Sequence, residues 1–158
     1  MTNFSRLAVM LICLSFVFPV SAANKRDPKK MAIKARQAEM HLRSFNAGPL
    51  FAMAKGKMPY DAKLAGKLAG NLELMLKLDN GRAWMQGTSN KEYPDNTTAL
   101  PKIWETWPKI ADYGKDYGKA VKELSAEAGN GKDALAKKVK ALGKACKECH
   151  DEFREKDK

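Results

Sequence analysis

The sequence predicts an all-α protein, an antiparallel four-helix bundle. Three observations predict the fold. Four stretches carry apolar residues at steps of three and four, as a helix buried on one side requires. Period-2 alternation appears nowhere for more than a few residues, so no strand ladder is expected. Stop signals of glycine, proline and asparagine fall between the stretches. Each amphipathic helix needs a partner for its apolar stripe, and mostly short connectors favour antiparallel neighbours.

The first 23 residues stand apart from that fold. Met1–Arg6 is positively charged, residues 7–20 are nearly all apolar, and Ser21-Ala22-Ala23 are small. This is the layout of a secretory signal cleaved after Ala22 or Ala23, and the apolar run is short for a membrane span. Cys13 lies within the run and is incidental. Residues 24–158 then form one domain with two cysteines and a formal charge of +10, from 28 Lys+Arg against 18 Asp+Glu. An apolar share of 44% and a charged share of 30% exclude a disordered chain, a collagen and a polytopic membrane protein. The expected location is the periplasm, with no stable membrane insertion after cleavage.

The first helix is expected to open at Asp27-Pro28, a cap followed by a proline whose missing N–H does no harm there. It carries Ile33, Met40 and Ala47 on one face, and Gly48-Pro49 predicts a bend or a break. Residues 55–59 are a connector. Asp61 caps a second helix bearing Leu64, Leu68, Leu72, Met75 and Leu76. Residues 79–99 read as a long polar loop with a short turn near Trp84-Met85. Asn96-Thr97-Thr98 matches a glycosylation acceptor, weak evidence by itself. A third helix is expected from Pro101, with Trp107, Ile110, Gly114, Tyr117, Val121, Leu124 and Ala128 on its inner side and Gly129-Asn130-Gly131 as its stop. The fourth has the most regular spacing: Leu135, Val139, Leu142, Cys146, Cys149 and Phe153.

Chemistry concentrates in Cys146-Lys147-Glu148-Cys149-His150, the Cys-x-x-Cys-His signature of c-type haem attachment. Two thiols must reach the vinyl groups of one porphyrin, and an imidazole must reach its iron. On a helix these residues occupy i, i+3 and i+4, so all three project to one side. A thioredoxin-like pair would want a βαβ unit, and a zinc site would want four ligands. A plain disulfide between Cys146 and Cys149 would leave His150 without a role.

With this motif on the last helix of a bundle, the chain resembles the class II c-type cytochromes, comprising cytochrome c′ and its low-spin relatives. Arg36-Gln37-Ala38 with Met40, and Asn46-Ala47-Gly48-Pro49-Leu50, are similar to the family's first helix. Met53-Ala54-Lys55-Gly56 and Pro59-Tyr60-Asp61 resemble its first connector, Leu100–Trp104 the start of its third helix, and Cys149–Arg154 its ending. The resemblance implies thioethers from Cys146 and Cys149 and a proximal iron ligand in His150. It places Arg154 near the proximal face, or as a cation at a helix C-terminus. Arg36 would pair with a haem propionate through its fork. Met40 stands where low-spin members have a methionine as sixth ligand; Met/His ligation raises the potential and suits electron transfer. The bland reading is core packing, the commoner fate of a buried methionine. His41, about 100° further round the helix, gives a bis-His alternative.

The leading functional expectation is therefore an exported single-electron carrier, not an enzyme, since no acid/base pair or nucleophile constellation is visible. Its partner would be an acidic redox protein drawn by long-range steering, not a nucleic acid. Homodimers through the first two helices are implied by the resemblance alone. The alternatives are binding of nitric oxide or carbon monoxide at an open or displaceable distal site, and a haem-free helical interaction protein with a Cys146–Cys149 disulfide.

Overall fold

The computed structural model describes residues 27–156; the expected signal segment lies outside them. Helix α1 spans Pro28–Ala54, α2 Ala62–Met75, α3 Lys102–Glu105, α4 Lys109–Glu127 and α5 Lys132–Phe153, with one turn of 3-10 helix at Gly81–Trp84. An isolated bridge between Ala99 and Arg154 is the only β pairing among the described residues. No helix there is long and apolar enough to cross a membrane.

The four long helices form a closed square: α1 packs on α2, α2 on α4, α4 on α5 and α5 on α1. Neighbours run antiparallel. Gly118 faces Leu76 while Gly129 faces Ala62, and Gly143 faces Phe51 while Gly56 lies beside Lys132. The main core fills the middle with Leu50, Met53, Leu72, Val121, Leu124, Leu135 and Leu142, each at most 1% exposed. A smaller cluster of Ile103, Ile110 and Phe153 lies at the end of the bundle where α5 finishes, with Trp84, Trp104, Tyr113 and Cys149 packed against it.

Asp27 caps α1 by accepting from the Lys29 and Lys30 amides, and Asp61 caps α2 from the Leu64 amide at 2.9 Å. Two boundaries differ from the sequence reading. Helix α1 is not broken at Gly48-Pro49; it continues to Ala54, because Leu50 and Met53 are fully buried and packing outweighs the lost backbone bond. The expected third helix is split. Pro108 has no N–H to donate and disfavours the helical region at Trp107, so α3 stops at Glu105 and α4 starts at Lys109, with a cis Trp107–Pro108 bond between them. Trp107, placed on the inner stripe by its spacing, is 53% exposed at that break.

Residues 79–99 do form a loop, but it is far from uniformly solvated. Thr88, Ser89 and Thr97 are buried. Its end is pinned to the end of α5, where the Leu100 amide donates to the Phe153 carbonyl and the Glu155 amide to the Thr98 carbonyl.

Candidate haem site

Cys146, Cys149 and His150 lie in the last two turns of α5, and the spacing that sends them to one side comes from unbroken helix. The two cysteines are half-buried free thiols; His150 is exposed. They straddle the two clusters, Cys146 packing on the main core together with Tyr117, and Cys149 on the Ile103–Ile110–Phe153 group. Burial pushes both thiols up, so they stay protonated at neutral pH. His150 is shifted down, first by partial desolvation and then by the nearby charge of Arg154, which favours the neutral imidazole that metal ligation needs. Arg154 caps α5, its amide donating to the His150 carbonyl at 3.0 Å.

Across from α5, the stripe Arg36, Met40, Arg43 runs along α1 at steps of four and three. Met40 is half-buried between the two arginines. The Arg43 guanidinium lies 4.4 Å from the Tyr117 ring centroid, and its Nη2 donates to Glu39, which is itself buried. Two buried polar atoms here have no partner, Arg43 Nε and the Tyr117 hydroxyl. Burial is the chief reason the Tyr117 phenol is pushed up to about 12.

Arg36 anchors the loop after α2. It is 4% exposed, and its fork is committed to the loop: Nη1 donates to the Ala83 carbonyl (2.9 Å) and Thr88 Oγ1 (3.2 Å), Nη2 to the Thr88 carbonyl (3.0 Å) and Thr97 Oγ1 (3.3 Å). The same guanidinium lies 5.2 Å from the Trp84 ring and 5.6 Å from the Trp104 ring. Burial lowers its pKa, and the carbonyl and hydroxyl partners bring no counter-charge. Only Nε remains for a propionate. The loop contacts escaped the sequence reading because Arg36 and Thr88 are 52 residues apart.

His41 is exposed and lines a shallow hollow on the outside of α1 with Ala38, Leu42, Ser44 and Phe45. Of the third-helix aromatics, Trp104 donates from Nε1 to the Trp84 carbonyl at 3.0 Å, and Tyr113 meets Phe153 edge-on at 5.4 Å. Both are packing residues; Trp107 is not. Arg43 and Glu39 went unnoticed in the sequence, where a charged pair four apart reads as solvated surface.

The residues present fit a covalently attached haem. Two free thiols and an imidazole leave one side of one helix, and unpartnered donors stand beside the first thiol, where a dry core would not leave them. Fold and site together define a helical-bundle c-type haem protein.

Residues 31–154 match the family model described as Cytochrome C′. The chain belongs to the cytochrome c′ family, whose members carry covalently attached haem c, one per chain. It is 36% identical over 148 residues to the cytochrome c′ of Cereibacter sphaeroides, covering 94% of this chain and 97% of that one. A solved cytochrome c′ from Rhodobacter Spheriodes superposes with a TM-score of 0.79 at 36% identity, over 82% of this chain and 98% of that one. A ferrous variant of the Alcaligenes xylosoxidans cytochrome c prime with bound nitric oxide matches with a TM-score of 0.70 at 26% identity, over 82% and 97%.

Proposed function

We propose that this protein is an exported single-electron carrier, freed from its signal after Ala22 or Ala23, whose haem iron is held by His150 and Met40. Bound haem supplies a one-electron ferric–ferrous couple. The chain's own residues would do the rest: Cys146 and Cys149 would tether the porphyrin to α5, His150 would ligate from that helix, and Met40 from the neighbouring α1. The observation that carries the reading is the position of Met40, half-buried on the α1 stripe that runs between Arg36 and Arg43. A soft thioether favours the ferrous iron and so raises the potential, as an electron carrier of this kind needs. Arg36 adds positive charge near the Cys149 end of the site, with Nε–H free for a propionate, and Arg154 biases His150 toward its neutral form.

A formal charge of +10 on residues 24–158 steers the carrier toward an acidic redox partner. Leu42 (48% exposed), Phe45 (75%) and Leu74 (60%) leave apolar area on α1 and α2 that suits a second copy of the chain.

The second reading is gas binding, favoured by the nitric oxide complex of the Alcaligenes xylosoxidans relative. Optical spectra of the ferric and ferrous protein, with and without carbon monoxide, separate the two. A low-spin spectrum with a sulfur–iron charge-transfer band, indifferent to carbon monoxide, is expected. A high-spin ferrous spectrum that shifts with carbon monoxide would overturn Met40 ligation and favour gas binding.

A further inference from the structure

We infer that Arg43 and Tyr117 form a pair of hydrogen-bond donors that lets the ferric haem bind a small anion with two acceptor atoms, such as azide or nitrite, in place of Met40. The inference rests on the proposed reading in one respect, that α1 lies over the face of the porphyrin opposite His150.

Buried polar groups are almost always satisfied, because one left unpaired forfeits its hydration without return. Here Arg43 Nε and the Tyr117 hydroxyl are both buried and both without partners. The two side chains are in contact, the Arg43 guanidinium lying 4.4 Å from the Tyr117 ring centroid. Glu39 accepts from Arg43 Nη2 and holds the guanidinium from the side, leaving Nε unfilled. An Nε–H can only donate and a phenol hydroxyl can donate or accept, so one acceptor group satisfies both.

Three acceptors could stand there. A backbone carbonyl is excluded, because no acceptor of the chain meets hydrogen-bond geometry with either atom. A haem propionate in that position would leave azide affinity unchanged in Tyr117→Phe. The third is a ligand on the porphyrin face. Arg43 follows Met40 by three residues, within one turn of the same helix, so it neighbours whatever occupies the Met40 position. An anion bound to iron through one atom presents its second acceptor atom to the pair. Carbon monoxide, neutral and a poor acceptor, gains little from it.

The test uses the haem-loaded protein with Met40→Ala, which opens the sixth position whether or not Met40 normally fills it. Azide is titrated into the ferric form and carbon monoxide into the ferrous form, both followed optically. Tyr117→Phe deletes only the unpartnered hydroxyl. The double change Arg43→Met with Glu39→Gln removes the guanidinium without stranding a buried carboxylate. Each is expected to weaken azide binding about tenfold while carbon monoxide affinity stays within about twofold. The proposal is overturned if azide affinity is unchanged in Tyr117→Phe, if azide and carbon monoxide weaken together, or if the Met40→Ala parent forms no azide complex. Should the double variant not fold, Tyr117→Phe decides alone. Azide titration with Met40 intact separates the two readings: binding as tight as in Met40→Ala would sink Met40 ligation and leave the donor pair standing.

Discussion

Arg36 and Thr88, 52 residues apart, are joined by two hydrogen bonds from one guanidinium, Nη1 to the Thr88 hydroxyl at 3.2 Å and Nη2 to its carbonyl at 3.0 Å. With Ala83 and Thr97 as further acceptors, one side chain of α1 organises the loop that covers the Trp84–Trp104 end of the bundle. A loop of this length would otherwise have few buried contacts to hold it.

Replacing Arg36 by Gln therefore strands buried acceptors and removes the charge stacked near two indoles. Chemical denaturation of the haem-loaded protein should show a loss of about 2–4 kcal/mol. Limited proteolysis should cut within residues 85–98 first. Equal stability with an uncut loop would show that the guanidinium is dispensable to it.

Glu152 ties α3 and α4 to the end of α5 by accepting from Lys102 at 2.7 Å and Lys109 at 2.8 Å, and these contacts pull its carboxyl down to about 2. A pKa depressed in the folded state gives stability that is complete above the unfolded carboxyl value and fades as pH falls toward about 2. Glu152→Gln should melt slightly earlier than the parent at pH 7, the gap closing between pH 4.5 and 2 and shrinking with added salt. A gap that widens on acidification would contradict the assignment.

Tyr60 bridges the first connector to the α4–α5 turn: its hydroxyl donates to the Ala128 carbonyl and accepts from the Gly131 amide, both at 2.9 Å. Tyr60→Phe removes both bonds without changing the ring and should cost about 1–2 kcal/mol in urea unfolding. The haem spectrum should be unchanged, because the Tyr60 hydroxyl bonds Gly131 at the start of α5, at the far end of that helix from Cys146 and Cys149.

Changing Cys149 alone to Ala should leave haem on the denatured chain through the remaining thioether at Cys146. Changing both should yield protein that releases its haem on unfolding, read by haem staining of a denaturing gel. Retention of haem by the double variant would mean that another residue carries the attachment.

The short-range signals were legible in the sequence. Asp27 and Asp61 cap their helices because capping needs only the next three residues, and the stepping from Leu135 to Phe153 gives α5 because a buried helical face repeats every three to four. Cys146, Cys149 and His150 belong to the same class, since the helix alone sends them to one side. Two local rules were outweighed or misjudged. Pro49 sits inside α1 because Leu50 and Met53 bury completely, and Pro108 splits the third helix although Trp107 has core spacing. Only the tertiary structure decided the partners of the charged residues on α1. Arg36 reaches a loop 47 to 61 residues away, Arg43 meets Tyr117 on α4, and His41 is left in solvent. A side chain's spacing names its face of the helix. What that face meets depends on how four helices close into a square, and that is set by the summed burial of all of them.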